Sequence, residues 1–172
     1  QKIGKDSLIR NSLKTCHSSN IFDEIIVSTD SSEIEKESQD LASIIHRRSA
    51  QNSTSTSTTE SVISEVINTY PKIFDKNIII YLVQCTFPFL KVSDLQESYE
   101  LVKNSHDYHC IISGYLFNKF IWEKDNKNKN NWLPTNYDPN NRPRSQDKSP
   151  LLIENGAFYI FGSSNFKKTN CR

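Results

Sequence analysis

Short apolar segments rich in β-branched residues alternate with segments of helical spacing along most of this chain. Strands buried on both faces of a parallel sheet have such continuous apolar runs, and parallel strands need crossover connections between them. The pattern therefore predicts an α/β fold with a mostly parallel sheet and helices on both faces. The predicted strands are residues 24–28, 43–47, 77–83, 109–113 and 157–161, and the predicted helices are residues 7–16, 31–41, 58–70 and 92–104.

Capping residues mark the beginning of three predicted helices. Asp30 or Ser31 is expected to cap the second helix, Thr58 the third and Ser93 the fourth. Short polar side chains at these places accept hydrogen bonds from the free N–H groups of the first helical turn. Pro71 is expected to end the third helix.

Size and composition limit the classes of protein to which the chain can belong. Its 172 residues fit one domain, residues 1–172, with a single core. The formal net charge of +1 attracts no polyanion, so we expect neither nucleic acid nor a membrane surface as a partner. The four cysteines are far apart and are predicted to be free thiols, which with the lack of a signal peptide indicates the cytoplasm. Because methionine is absent, the natural start is expected upstream of Gln1.

Two segments are predicted to lie outside the core. Residues 124–141 are rich in Asn, Lys and Asp and contain two prolines, a composition typical of a surface excursion. We expect this excursion to belong to a flap that covers about residues 115–150. Residues 53–59 consist only of Ser and Thr and are compatible with a flexible linker.

Polar residues follow the predicted strands where ligands bind in parallel α/β sheets. The strand ends are Ser28-Thr29-Asp30, His46-Arg47-Arg48, Gln84-Cys85-Thr86 and Ser113-Gly114. Paired arginines at one strand end suit phosphates or carboxylates, because a guanidinium donates two parallel hydrogen bonds to such groups. The alternative is that Arg47 and Arg48 are solvated surface residues.

Three further groups could bind a ligand. Gln84 has a neutral amide that can recognise a nucleobase or sugar, or else cap a loop backbone. Residues 142–147 place two arginines around a proline, which suits either an anion clamp or a charged turn. Gly156 precedes the last strand and would let a ligand approach the backbone closely. No Ser-His-Asp arrangement can be inferred from spacing, and His17, His46, His106 and His109 have no metal-ligand spacing.

Five segments, in order, resemble the CMP-sialic acid synthetase (N-acylneuraminate cytidylyltransferase) family. Residues 22–30 (FDEIIVSTD) resemble its first internal strand and turn, and residues 9–18 the helix before them. Residues 46–49 (HRRS) with the following Ser/Thr run, and residues 142–147 (RPRSQD), are similar to animal-type members. Residues 154–159 (ENGAFY) resemble the family's entry into a strand. The likeness covers nearly the whole chain.

The resemblance implies a Rossmann-like nucleotidyltransferase fold of the nucleotide-diphospho-sugar transferase type with a protruding dimerisation flap. The implied reaction uses CTP and Mg²⁺: the anomeric hydroxyl of a sialic-type nonulosonic acid attacks the α-phosphate, and pyrophosphate leaves. A homodimer is implied, with a cytoplasmic location or, in the case of an animal-type member, a nuclear one.

The resemblance also implies roles for individual residues. Arg48 and Gln84 correspond to positions that contact the nucleotide or lie close to the sugar. Arg144 and Gln146 correspond to positions near the sialic acid, and Asn155 and Tyr159 to positions that line its pocket. The full set of implied substrate-binding residues is Gln84, Arg142, Arg144, Gln146, Asn155 and Tyr159.

Both ends of the family's domain are expected to lie outside this chain. Residues 2–5 (KIGK) resemble only the continuation of the phosphate loop, and the Asp-rich motif that binds Mg²⁺ is expected after Arg172. The catalytic residues are therefore unknown, and the chain by itself is expected to be inactive. Two alternatives remain open: CMP activation of pseudaminic, legionaminic or a keto-deoxy sugar acid, and a non-catalytic binding or assembly module of the same fold.

Overall fold

Helices and strands alternate along the chain, as the sequence predicts. The computed structural model describes residues 2–105 and 109–172. Within them the strands are β1 (Lys2–Ile3), β2 (Asp6–Ser7), β3 (Ile26–Thr29), β4 (Ile44–Arg47), β5 (Ile79–Val83), β6 (Cys110–Phe117), β7 (Trp122–Lys124), β8 (Trp132–Pro134) and β9 (Leu151–Gly162). The helices are α1 (Leu8–Ser19), α2 (Ser32–Ser38), α3 (Thr59–Thr69), α4 (Val92–Asn104) and α5 (Ser163–Thr169). The predicted α/β class is confirmed.

Strands β3 and β4 form a parallel pair joined through α2. Their register places Ile26 opposite Ile44 and Ser28 opposite His46. The carboxyl ends of the two strands therefore lie side by side, which brings the polar residues that follow them to one edge.

Strand β9 lies between β5 and β6 in a second sheet and runs antiparallel to β5. Its register pairs Ile79 with Gly162 and Val83 with Phe158. The prediction of a mostly parallel sheet is not confirmed, because the twelve-residue β9 returns directly beside β5. Apolar residues buried on both faces occur in such a strand as well as in a parallel one, so the run at residues 157–161 carries no information on direction.

Helices pack on both faces of this second sheet, because alternate residues of β9 enter different clusters. Phe158 and Ile160 belong to a cluster with Cys16 of α1 and Leu95 of α4. Phe161 belongs to the opposite cluster. That second cluster contains Ile63 and Ile67 of α3 and Phe166 of α5. The period of two along β9 thus separates the two layers of the core.

Polar caps begin α2 and α3 as predicted, but not α4. The side chain of Ser31 accepts from the N–H of Ile34, and that of Thr58 from the N–H of Ser61. The prediction of Ser93 as the cap of α4 is wrong, because this helix begins at Val92 and Lys91 is its cap residue. The Asp94 carboxylate accepts from the Lys91 N–H instead, at 3.0 Å. Helix α3 ends before Pro71, as predicted.

The chain divides into two compact units. Unit 1 comprises residues 1–113 and 156–172, and unit 2 comprises residues 114–155. Unit 2 contains the antiparallel hairpin of β7 and β8, in which Glu123 pairs with Leu133. The rings of Phe120 and Trp122 both meet the ring of Tyr137 edge-on, with centroids 4.7 and 5.9 Å away. This small aromatic cluster gives unit 2 its own packing.

Two predictions about composition can also be compared with the structure. All four cysteines carry free thiols, as predicted. The Ser/Thr run forms a turn rather than an extended linker, because Ser57 Oγ donates to the Gln51 carbonyl and accepts from the Thr54 N–H. Within the described ranges, every helix is too short or too polar to cross a bilayer.

Candidate functional site

Arg48 lies at the carboxyl ends of the parallel strands β3 and β4. Its backbone N–H donates to the Thr29 carbonyl at 2.9 Å, which continues the β3–β4 pairing beyond β4. Nη2 of its guanidinium donates to the Ser28 carbonyl at 2.7 Å, and Nε to Ser28 Oγ at 3.4 Å. Arg48 is half-buried. The strand end therefore holds a guanidinium in a defined orientation where α/β sheets bind ligands.

The charge of Arg48 is not balanced by a carboxylate within residues 2–105 and 109–172. Its neighbour Arg47 turns the other way and forms an ion pair of 2.6 Å with Glu35 of α2. The other arginines of these ranges are also occupied: Arg10 pairs with Asp40, Arg144 with Asp147 and Arg172 with Glu60, and Arg142 stacks on aromatic rings. A half-buried guanidinium without an acidic partner is a candidate site for an anion. The two arginines that the sequence placed together thus have separate environments.

Gln84 leaves β5 against the backbone of the last strand. Its N–H donates to the Ala157 carbonyl at 2.9 Å, and its own carbonyl accepts from the Phe87 N–H at 3.1 Å. Its side-chain oxygen lies 3.2 Å from the place where a Cβ atom of Gly156 would be. Gly156 has a φ of +68°, which favours glycine. The glycine that was predicted to admit a ligand therefore admits the Gln84 amide.

Ser28, His46 and Glu65 form a line that the sequence did not predict. Ser28 Oγ lies 3.0 Å from Nδ1 of His46, and Nε2 of His46 lies 3.5 Å from Oε1 of Glu65. Glu65 also accepts hydrogen bonds from Ser49 and Asn52. These hydrogen bonds, with that from Asn52 first, lower the pKa of the Glu65 carboxyl. The pairing of β3 with β4 was the signal that could have revealed the contact between Ser28 and His46, because the register places them opposite each other.

Three predicted substrate residues lie in unit 2. The Arg142 guanidinium stacks 4.3 Å above the Phe120 ring and 5.5 Å from the centroid of Tyr137. Arg144 donates two hydrogen bonds to Asp147, from Nε at 2.6 Å and Nη2 at 3.1 Å. Gln146 is exposed in the single helical turn Ser145–Asp147. Arg142 thus has a packing role, whereas Arg144 and Gln146 lie on the surface of the unit.

The remaining predicted residues, Asn155 and Tyr159, belong to β9. Asn155 is half-buried in unit 2, at the boundary with unit 1. Tyr159 lies in unit 1 opposite Leu82 of β5 and packs against the cluster that contains Phe161. The Arg172 guanidinium lies 4.8 Å above its ring. The substrate roles of both residues stay predictions.

The side chains of the described ranges form no cluster of metal-ligating groups. Among residues 2–105 and 109–172, no three His, Cys, Asp or Glu side chains are grouped so that they could hold a metal ion. His106 lies outside these ranges. We therefore derive no step of chemistry through a metal held by these side chains.

Comparison with known proteins identifies relatives over most of the chain. A cytidylyltransferase family model matches residues 1–161. The chain is 31% identical to the N-acylneuraminate cytidylyltransferase of Oncorhynchus mykiss over 157 residues, which are 91% of this chain and 35% of that protein. It is 32% identical to N-acylneuraminate cytidylyltransferases A and B of Danio rerio, over 83% and 80% of this chain and 32% of each relative. The chain thus spans about a third of the length of these relatives.

Proposed function

Since this chain belongs to the cytidylyltransferase family, we propose that the protein containing it transfers a cytidylyl group from CTP to a sialic-type nonulosonic acid. The anomeric hydroxyl of the sugar attacks the α-phosphorus of CTP. The bond from phosphorus to the bridging oxygen breaks, pyrophosphate leaves with the electron pair, and the hydroxyl proton is released. The products are a CMP-sugar and pyrophosphate. The names of the three relatives support this choice of sugar.

The observation that carries the proposal is the Arg48 guanidinium at the β3–β4 edge, which hydrogen-bonds to Ser28 but forms no ion pair within residues 2–105 and 109–172. A triphosphate supplies the negatively charged partner that Arg48 does not have among the described residues. A guanidinium can donate to two phosphate oxygens at once. A fixed cation beside the reacting phosphate also stabilises the charge that develops during transfer. We assign Arg48 to the nucleotide phosphates.

Gln84 supplies the neutral part of the proposed nucleotide and sugar site. Hydrogen bonds to Ala157 and Phe87 fix its backbone, so the side chain starts from a defined place at the end of β5. An amide donates and accepts at once, which suits a cytosine edge or a sugar hydroxyl. We assign Arg144, Gln146 and Asn155 of unit 2, and Tyr159 of unit 1, to the sugar acid, and Arg142 to the packing of unit 2.

We propose Mg²⁺ as the cofactor, with its ligands outside this chain. For the complete domain we propose the nucleotidyltransferase fold with a mostly parallel sheet. A homodimer is proposed to form through unit 2, where Trp122, Trp132 and Leu133 are exposed. We propose a cytoplasmic or nuclear location. Light scattering on the purified protein tests the dimer.

The test is pyrophosphate release by the protein that contains this chain. CTP, UTP, ATP and GTP are each offered with N-acetylneuraminic acid, with Mg²⁺ or with EDTA. We expect release with CTP and the sugar together, and none when either is omitted. Release with pseudaminic, legionaminic or a keto-deoxy sugar acid in place of N-acetylneuraminic acid would reassign the substrate. CTP binding without release from any of these acids would leave a binding module instead.

A further inference from the structure

A line of three side chains, Ser28, His46 and Glu65, lies behind Arg48 in unit 1. Ser28 and His46 are opposite each other in the parallel register, with 3.0 Å between Ser28 Oγ and His46 Nδ1. The other ring nitrogen of His46 lies 3.5 Å from Oε1 of Glu65. His46 is 3% exposed, and its ring meets the edge of the Tyr70 ring at 5.8 Å. The line therefore runs from the strand end to α3 through a buried His46, with the half-buried Ser28 and Glu65 at its two ends.

For a neutral His46 ring, the chemistry of the two ends gives each polar contact one direction. Arg48 has only donors, and an ionised Glu65 has only acceptors. Because Arg48 Nε donates to Ser28 Oγ, the hydroxyl proton of Ser28 is free to point at Nδ1 of His46. A neutral His46 ring then carries its proton on Nε2, which faces Glu65. The Ser28 hydroxyl is then matched to Nδ1 by a hydrogen bond, and Nε2 faces the Glu65 carboxylate at an ion-pair distance.

Glu65 provides a fixed end for this line. Its Oε1 accepts from the Ser49 N–H at 2.8 Å, and its Oε2 accepts from Ser49 Oγ at 2.8 Å and from the Asn52 amide. Ser49 directly follows Arg48, so Glu65 restrains the chain next to Arg48 and also lies beside His46. These contacts also keep Glu65 ionised, because they lower its pKa.

We propose that His46 is a positioning residue that orients Arg48 for the nucleotide phosphates through Ser28, with Glu65 as its anchor. This inference rests on the proposed function, since it takes CTP as the anion that Arg48 binds. A carboxylate in direct contact would orient the guanidinium equally well, but it would compete with the phosphate for the same charge. The Ser28–His46 pair carries no negative charge, so it orients Arg48 and leaves the charge of the guanidinium available. Preorganisation of this kind lowers the entropy lost on binding.

Two substitutions at position 46 test the contacts of the two ring nitrogens one at a time. In His46→Asn the side-chain oxygen comes close to the place of Nδ1 and can still accept from Ser28, but the contact with Glu65 is lost. In His46→Gln the longer amide reaches Glu65, but the acceptor for Ser28 is lost. Ser28→Ala removes the hydroxyl between His46 and Arg48 and keeps the carbonyl that accepts from Nη2. The melting temperature of each variant shows whether it folds.

CTP affinity of the protein that contains this chain is the first readout. We expect His46→Gln and Ser28→Ala each to raise the Kd for CTP about tenfold, and His46→Asn to raise it only about twofold to threefold. The double variant of Ser28→Ala with His46→Gln should bind CTP no more weakly than Ser28→Ala alone, because His46 acts through Ser28. The KM for the sugar acid should not change. A purely structural role would lower the melting temperature and leave the affinity of the folded variants unchanged.

The second readout is the tautomer of His46, seen in two-bond nitrogen–proton correlations from ring nitrogens labelled with ¹⁵N. We expect Nε2 protonated and Nδ1 bare in the neutral ring, with His46→Asn identifying the signal. Unchanged CTP affinity in folded Ser28→Ala and His46→Gln, or a proton on Nδ1, would overturn the inference and leave the proposed function standing. Absence of any CTP binding by the wild-type protein would overturn both.

Discussion

Gly156 and Gln84 approach each other so closely that a side chain at residue 156 would crowd the Gln84 amide. A Cβ atom there would lie 3.2 Å from Oε1 of Gln84, a tighter contact than most Cβ atoms make. The backbone of Gly156 also has a φ of +68°, in the left-handed region. Conformation and contact therefore both require glycine directly before the buried part of β9.

Gly156→Ala should destabilise the protein and displace the Gln84 amide. We expect a loss of about 1–2 kcal/mol in the free energy of unfolding, measured by urea denaturation, from left-handed strain and the contact with Gln84. Gly4→Ala is the matched control, since Gly4 also has a positive φ, +60°, but nothing lies within 4 Å of its Cβ position. If CTP binding weakened equally in both variants, the contact with Gln84 would have no role in the site.

Arg48 and Arg47 are adjacent in sequence but should differ in their effect on CTP binding. Arg48→Ala removes the half-buried guanidinium and should raise the Kd for CTP by about tenfold or more. Arg47→Ala removes a side chain that is 58% exposed and paired with Glu35, so the Kd should change by less than about twofold. Isothermal titration with CTP measures both. Equal effects would mean a general electrostatic attraction rather than a site at Arg48.

Local sequence patterns predicted most elements but not their partners. Helix α4 runs over Val92–Asn104, as predicted from its apolar spacing. The direction of β9 depends on which strand it meets after the 42 residues of unit 2, and nothing in its own apolar run encodes that choice. Lys91 rather than Ser93 is the cap residue of α4, and the Asp94 carboxylate accepts from the Lys91 N–H. Such competition between neighbouring polar groups is settled by backbone geometry, not by residue type.

The sequence predicted only part of the candidate site, because local patterns do not show which residues the fold brings together. Arg48 was found because it follows an apolar run, a feature local to the sequence. Glu65 was missed, since it lies 17 residues further along on α3, and only the packing of that helix brings it to His46. Arg142 was predicted to belong to either an anion clamp or a charged turn, and its guanidinium lies 4.3 Å above the Phe120 ring. A sequence shows which charges exist, but the fold decides which of them remain available.

Arg142 and Arg144 should affect unit 2 differently although only Pro143 separates them. Arg142→Ala uncovers the rings of Phe120 and Tyr137 and should cost about 1 kcal/mol of stability. Arg144→Ala breaks an exposed pair with Asp147 and should change stability by less than about 0.5 kcal/mol. Only Arg144→Ala should raise the KM for the sugar acid with the KM for CTP unchanged. Urea denaturation and steady-state kinetics on both variants make the comparison.

The pair of Arg10 and Asp40 should make stability depend on pH in the acid range. The hydrogen bonds from Arg10 lower the Asp40 pKa to about 2, from a usual 3.8. A carboxyl with a lowered pKa in the folded state stabilises the fold above its unfolded pKa, and this contribution is lost as pH falls through the folded value. The difference in urea midpoint between wild type and Asp40→Asn should therefore shrink between about pH 4 and pH 2. Added salt at neutral pH should shrink it too, because the pair is exposed.

Cys16 should be the least reactive of the four thiols in the folded protein. It is 7% exposed within the cluster that contains Leu95, and burial raises its pKa to about 11 from a usual 9.0. The thiolate is the reactive form, so at neutral pH its fraction falls about a hundredfold, in addition to the steric protection. Cys171 is exposed and should react with a maleimide first.

Mass spectrometry after brief labelling would assign the modified cysteines. Cys171→Ser should remove the fastest phase and leave the labelling of Cys16 unchanged. In urea, Cys16 should react like the other three, because unfolding removes both the burial and the raised pKa. If CTP binds the folded protein, it should slow the labelling of Cys16 further, since the thiol is reached by opening of the core and a ligand that binds only the native state makes opening rarer. Labelling of Cys16 at the rate of Cys171 in the native protein would contradict the packing of α1 against β9.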